Sequence, residues 1–421
     1  MESYLIRGGR ILSGTVRVHG AKNSVLPILA ATLLCRGTCV IHNCPALSDV
    51  DASVAILRHL GCRVTRERDA VAVDAAVLAR QDIPDRLMRE MRSSVIFLGA
   101  ILARTGGADV SMPGGCELGP RPIDLHLAAL KKLGAEVRQV GGSLLCRGGD
   151  RLIGTEISLS LPSVGATENA MLAACGAAGT TVIDNAAREP EIVDLAAFLN
   201  ACGGRVSGAG SSRVVVEGVP SLHGADYTII GDRIVAATYL SAACAAGGDV
   251  ALTGIDPAQL TTLTSLLRDG GADVFTGGGM VRLRLTKPLN AVGTVRTAPY
   301  PGFPTDAQPV LMGALCRSRG ISVFVETMFE NRYRHVDELR RMGADIRVQD
   351  RVAVVTGVDT LRGAAVEAHD LRGGGALAVA ALGAEGETVL TGLHHIRRGY
   401  ASLPEDLAAL GADIRWETAA I

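Results

Sequence analysis

The loop PGGCELGPRPIDLH sets a thiol, Cys116, behind two glycines and five residues ahead of a guanidinium, Arg121. Glycine permits backbone shapes closed to other residues and a nearby cation favours the thiolate, so Cys116 is a candidate reactive group. His126 offers a partner for a Cys-His arrangement, and at a helix start it serves equally well to bond a carbonyl or a phosphate. In PGFPTDAQ, Asp306 follows two prolines that stiffen the chain. It reads as the N-cap of a helix DAQPVLMGAL and as a carboxylate able to take a proton from a hydroxyl, two compatible roles. Lys22, in GAKNS, is one of four lysines in a chain with 38 arginines, which makes its position in a glycine-led loop notable.

These residues fall in loops that recur. A helix ending in Gly, then a small residue, a charge and Val or Ile, appears with its glycine at 61, 134, 203, 271, 343 and 411. The interval is about 70 residues, and six such units tile the chain. Each reads as βαβαββ. A strand leads through a small-residue loop into an apolar helix, such as ENAMLAACGAA, and a β-branched strand such as GTTVIDN follows. A second loop then opens a helix with i, i+3, i+4 apolar spacing, such as VDELRRM, and a hairpin such as DIRVQDRVAVVTG closes the unit. The strand GTVRV, 14–18, opens the first unit. The sixth unit ends before its hairpin is complete, and YLIRGGRILSGTVRV at the N-terminus supplies the missing strands, so the two ends of the chain are expected to meet. Three units per domain gives one domain at 22–229 and a second made of 1–21 plus 230–421.

Equivalent loops of a repeat project on one face. The first-loop series holds Lys22, Arg92 and Arg372, and the second-loop series holds Arg121, Arg332 and Arg398. A single loop arginine is ordinarily a solvated surface residue. Six cations recurring beside glycines and helix starts, whose free N–H groups also favour anions, predict an electropositive cleft between the halves for a small polyanion.

Composition narrows the class. With 42 basic against 43 acidic residues the formal charge is −1, which disfavours nucleic-acid binding, and 48% hydrophobic residues supply ample core. The longest uncharged runs, 169–183 and 234–248, fall short of the roughly 18 residues that span a bilayer. The N-terminus lacks a basic stretch followed by an apolar one, so a cytoplasmic address is expected. Ten cysteines contain no C-x-x-C pair and mostly sit among Ala and Leu, which reads as buried thiols rather than a disulfide framework or a zinc site.

GAKNSVLPILAATLL, MRSS, PGGCELGPRPIDLH, PSVGATEN, NAAREPEIVDLAAFL, FPTDAQ, FENRYRHVDELRRMGAD, DLRGGGAL and HHIRRGY together resemble the UDP-N-acetylglucosamine 1-carboxyvinyltransferase family of enolpyruvyl transferases, over essentially the whole chain. The resemblance implies a two-domain inside-out α/β barrel, shared with EPSP synthase, that closes around its substrates. The implied reaction moves the enolpyruvyl group of phosphoenolpyruvate to the 3-hydroxyl of UDP-N-acetylglucosamine through a tetrahedral ketal, releasing phosphate, with no metal or other cofactor. This is the first committed step of peptidoglycan synthesis, hence of cell-wall biogenesis, cell shape and division. The partners are these small molecules, with neither nucleic acid nor membrane among them.

By resemblance, Cys116 is the general acid and the site of fosfomycin alkylation, and Asp306 deprotonates the sugar hydroxyl. Lys22, Arg92, Arg121 and Arg398 hold phosphoenolpyruvate, with Arg332 and Arg372 near. Asn23 and Met328 contact substrate. Arg121, Pro122, Ile123, Asp124 and Leu125 hold the uridine, and Ser163, Val164 and Gly165 face the diphosphate. The chain departs from the family pattern at Arg397, where HHIDRGY is usual, at Val235, where DRIE is usual, and in SLSLPS, which lacks a charge before PSVG. The acid-to-base change at Arg397 is expected to alter the pairing of Arg398. Two further readings stay open: a paralogue that binds UDP-sugar with weak or regulatory activity, and the same fold acting on another hydroxyl.

Overall fold

A computed structural model of the chain describes residues 2–91, 93–112 and 123–418. Each of the six repeat glycines follows the end of a helix with φ between +89° and +106°, left-handed backbone that favours glycine and stops a helix. The helices they end are Ser48–His59, Asp124–Lys132, Pro190–Ala201, Thr261–Asp269, Val336–Arg341 and Leu403–Ala409. These are amphipathic: Thr261–Asp269, for instance, buries Leu263, Thr264 and Leu267 and leaves its other face to solvent.

The other recurring helices carry small apolar residues all round and are buried all round. Two compact units divide the described chain, one from Gly20 to Ile230 and one made of the residues up to His19 with those from Gly231 onward. In the latter, Arg233–Ala246, Gln308–Leu315 and Leu371–Leu382 pack on one another, with nearly every residue buried. In the former, Phe97–Thr105 packs against both Lys22–Ala31 and Val164–Cys175. In each unit the helices lie inside and the sheets outside, an inside-out α/β fold. Among the described residues no helix is long and apolar enough to cross a membrane.

Among the described residues, six four-stranded sheets of one topology cover these helices. In one, Glu156–Ser158 runs parallel to Thr180–Asp184, which pairs antiparallel with Arg213–Glu217, which pairs antiparallel with Arg205–Ser207. The last sheet is completed from the other end of the chain. Glu2–Arg7 lies between Glu387–Thr391 and Asp413–Thr418, with Leu5 opposite Val389 on one side and Arg415 on the other. The second N-terminal strand departs from expectation. Leu12–Arg17 joins neither the first unit's sheet nor the last; it runs parallel to Gly248–Thr253, Gly14 beside Val250. The first unit's Thr38–His42 instead takes its parallel neighbour from Asp226–Thr228. Parallel partners are joined by crossovers and not by turns, so local sequence marks the strand without marking its neighbour.

Candidate active site

In the unit from Gly231 onward, three loops converge on one carboxylate. Asp306 sits in the turn before Gln308–Leu315, and its Oδ1 accepts from Arg332 Nη2 at 2.9 Å while its Oδ2 accepts from Arg372 Nε at 3.2 Å. The expected N-cap role falls to Ala307, one residue on; Asp306 is held by the two guanidinium groups. Arg332 is 1% exposed and also donates from Nη2 and Nε to the Thr305 carbonyl, at 2.7 and 3.2 Å. Arg372 is placed by the helix it opens: the Asp370 carboxylate caps Leu371–Leu382 by accepting from the Arg372 and Gly373 amides at 3.0 and 2.9 Å. Its guanidinium lies over the Tyr400 ring, 5.6 Å from the centroid, and Tyr400 in turn bonds Thr238 at 2.9 Å.

Burial works against the charge of Arg372, but the Asp306 carboxylate, Tyr400 and Asp232 outweigh it and hold its pKa above the ordinary range. The side chains of Arg332 and Arg372 are 1% and 3% exposed and that of Asp306 is 29% exposed. The open part of the cluster is therefore the carboxylate, pinned from behind by two cations. Such a group can accept a proton from a hydroxyl set against it, and the cations can stabilise negative charge that develops beside it.

The surroundings add residues that sequence reasoning missed. Glu326, 1% exposed, accepts from the Met328 and Phe329 amides at 2.7 and 3.1 Å and from the Thr305 hydroxyl at 3.0 Å. It thereby ties the Met328 turn to the segment that carries Asp306, while the Met328 side chain is exposed. His335 is buried beside Asp370 and Arg332; burial, opposed by Asp370 and assisted by Arg332, pulls its pKa down to about 4 and keeps the imidazole neutral. The acid at the head of ETMFENRYRH and the D-x-R of HDLRGGGA were the available signals for Glu326 and for the capping Asp370.

In the unit from Gly20 to Ile230, Lys22 opens the helix Lys22–Ala31 and its Nζ lies 2.7 Å from Asp49 Oδ2, with side-chain exposures of 11% and 2%. Asp49, on Ser48–His59, supplies the counter-charge that a buried lysine needs and is a further residue that sequence reasoning missed. Asn23, next along, is half-buried. Ser24 donates to Asp194, whose carboxylate also accepts from the Tyr227 hydroxyl at 2.6 Å and the Ile230 amide at 3.3 Å. These bonds seat the Lys22 helix against Pro190–Ala201.

The same unit brings the two expected nucleotide-binding stretches together. Asp124–Lys132 and Val164–Cys175 pack side by side. His126 Nδ1 accepts from the Asn169 amide at 2.8 Å, and Asn169 also donates to the Val95 carbonyl and accepts from the Gly99 amide. This fixes the imidazole ring against Gly165, where an added Cβ would lie 2.8 Å from Cε1 and 3.1 Å from Nε2. Gly165 is therefore required by close approach. Ser163 caps the helix through the Ala166 amide at 3.4 Å, and Val164 and Gly165 form its first turn, where amides have no helical partner. Ile123 is buried, Leu125 half-buried and Asp124 exposed.

Cys116, Arg92, Arg121 and Pro122 lie outside the described residues. Arg398 is half-buried after the short helix Leu393–Ile396. The departure at Arg397 has a physical account: its guanidinium pairs with Glu2 at 2.5 Å and lies 4.8 Å from the Trp416 ring centroid, so it serves the sheet formed by the chain ends. Val235 is fully buried in the apolar core, a place suited to Val and costly for a carboxylate.

The family model described as EPSP synthase (3-phosphoshikimate 1-carboxyvinyltransferase) matches residues 6–407. A protein of Caldanaerobacter subterraneus named UDP-N-acetylglucosamine 1-carboxyvinyltransferase 2 is 52% identical over 414 residues, covering 98% of this chain and 99% of that one. One of Symbiobacterium thermophilum, named UDP-N-acetylglucosamine 1-carboxyvinyltransferase 1, is 48% identical over 418 residues, covering 98% and 95%. Among solved structures, the enolpyruvyl transferase NikO from Streptomyces tendae matches with a TM-score of 0.89 at 30% identity, covering 100% of this chain and 99% of that one. With the model matched over nearly its whole length and such relatives along it, this chain belongs to the EPSP synthase family of carboxyvinyltransferases.

Proposed function

We propose that this protein transfers the enolpyruvyl group of phosphoenolpyruvate to the 3-hydroxyl of UDP-N-acetylglucosamine, releasing phosphate, and so makes a peptidoglycan precursor in the cytoplasm. The observation that carries the reading is the Asp306 carboxylate, held by Arg332 and Arg372 at the positions where FPTDAQ, FENRYRH and DLRGGG match the family. Asp306 takes the proton of the attacking hydroxyl as its oxygen bonds to the central carbon of phosphoenolpyruvate, and Cys116 delivers a proton to the methylene carbon. The tetrahedral ketal then loses phosphate, and a proton leaves the new methyl group to give the enol ether. Lys22, Arg92, Arg121 and Arg398 offset the charge of phosphoenolpyruvate, which is what a compact trianion demands of its binder. The first turn at Ser163, Val164 and Gly165 receives the diphosphate, and the residues from Arg121 to Leu125 take the uridine. Fosfomycin, on this reading, inactivates the enzyme by alkylating Cys116.

The test is phosphate release from phosphoenolpyruvate with and without UDP-N-acetylglucosamine, and with shikimate 3-phosphate as a competing acceptor. Turnover that requires UDP-N-acetylglucosamine supports the proposal. Saturable binding of UDP-N-acetylglucosamine without phosphate release, or turnover with shikimate 3-phosphate alone, overturns it.

A further inference from the structure

We propose that Cys35, Cys39 and Cys202, with His223 as fourth donor, form a structural site for one thiophilic divalent cation of the Zn²⁺ type. The three sulfurs come from two distant parts of the chain. Cys35 begins the two-residue strand Cys35–Arg36, Cys39 lies on Thr38–His42, and Cys202 follows Pro190–Ala201. Their Sγ atoms all lie within 4.8 Å of one another, and all three residues are 0% exposed. In a tetrahedral zinc site, Zn–S bonds of about 2.3 Å put the sulfurs roughly 3.8 Å apart, so small side-chain movements bring the three into ligating range. Cys35 and Cys39 are separated by three residues in C-R-G-T-C, a ligand-pair spacing that a search for C-x-x-C passes over, and the approach of Cys202 is visible only in the fold.

A nitrogen donor lies on the neighbouring strand, outside the 4.8 Å cluster of the three sulfurs, and swings in to ligate. Leu222–His223 runs parallel to Cys35–Arg36, Leu222 beside Cys35 and His223 beside Arg36, and the His223 amide donates to the Cys202 carbonyl at 2.9 Å. The His223 Nε2 sits against Gly203, next to Cys202, 3.0 Å from where a Cβ on that glycine would be. Its Nδ1 is 2.9 Å from the Gly224 carbonyl, so Nδ1 carries the hydrogen and Nε2 presents a lone pair. Metal-ligating histidines are commonly set in this way, one ring nitrogen donating to a carbonyl and the other free to ligate. Whereas the thiols are buried, His223 is exposed, which gives a cation a path in.

A soft, d¹⁰ cation suits three sulfurs and an imidazole; a hard cation such as Mg²⁺ does not. On binding, each thiol gives its proton to solvent and the metal takes three thiolates, with no redox change. The result clamps the Cys35–Cys39 segment to the segment from Cys202 to His223, two ends of the unit otherwise joined here by short strand pairs. The site is separate from the Asp306 chemistry and does not depend on the proposed reaction.

The full chain, stripped with chelator under reducing conditions, is titrated with Co²⁺ and then Zn²⁺. We expect one equivalent of Co²⁺ with the visible bands and near-ultraviolet charge transfer of a tetrahedral thiolate complex, displaced by one equivalent of Zn²⁺, which raises the thermal midpoint. Cys39→Ser and Cys202→Ser should lose the bands, Cys244→Ser, buried in the other unit, should keep them, and His223→Gln should weaken binding at least 10-fold. His223→Gln changes an exposed side chain and keeps the test usable if the buried variants fold poorly. Absence of tetrahedral bands in the parent chain, bands that persist in folded Cys39→Ser, or wild-type affinity in His223→Gln overturns the four-donor site.

Discussion

Arg372 meets Asp306 through Nε at 3.2 Å while its plane lies over Tyr400, an arrangement that uses the flat fork of a guanidinium. An ammonium cannot do both. Arg372→Lys should therefore lower kcat/KM by about 100-fold, the scale of losing one preorganised charge-stabilising donor, with the fold retained by circular dichroism. An unchanged kcat/KM would remove Arg372 from the chemistry. Arg372 stood out in the sequence as a loop cation ahead of three glycines, in DLRGGG, and the structure sets it against Asp306. The pairing of Asp306 did not: the residues around it look like a helix cap, and only the approach of Arg332 from 26 residues away shows that its carboxylate is held by guanidinium groups and does not cap the helix. Glu326 escaped notice for the same reason, since a buried acid that binds backbone amides leaves no periodic trace in sequence.

Two predictions belong to helix starts. At the opening of Val164–Cys175, Gly165→Ala drives a methyl into the His126 ring, at a cost of about 1–3 kcal/mol. It should raise KM for UDP-N-acetylglucosamine at least 10-fold while kcat stays within a few-fold; a KM equal to the parent's would separate this turn from the nucleotide. At the head of Val336–Arg341, His335 has its pKa pulled down to about 4 by burial. The unfolded chain, with an ordinary value near 6.5, takes up the proton first as pH falls. The stabilisation is thus complete above about pH 6.5 and is lost as pH drops from there toward 4. Thermal midpoints measured across that window should fall more steeply for the parent than for His335→Gln, and parallel curves would contradict the assignment. Helix existence and ends were legible, because left-handed glycines and capping acids act locally; the neighbour of a parallel strand such as Leu12–Arg17 was not, because its register is set across a crossover.

For the whole molecule, the closure of the last sheet by Glu2–Arg7 makes the first residues part of the core: Tyr4, Leu5 and Ile6 are buried between two strands from the far end of the chain. Ile6→Ala should cost about 2–5 kcal/mol, far more than terminal substitutions usually do, and a thermal midpoint unmoved from the parent's would deny the strand that role. The repeat interval announced this arrangement, since a sixth unit lacking its hairpin needs strands from elsewhere, and the same-topology sheets follow from one βαβαββ pattern written six times. What the repeat could not announce is chemistry, which rests on single side chains that differ from unit to unit. The most direct test of the account is phosphate release from phosphoenolpyruvate and UDP-N-acetylglucosamine by the parent and by Asp306→Asn, with UDP-N-acetylglucosamine binding measured separately. We predict a loss of kcat of about 10²- to 10⁴-fold with binding nearly unchanged, as expected for removing a general base. Equal turnover by the two proteins would contradict the role of Asp306 and with it the reading of this site.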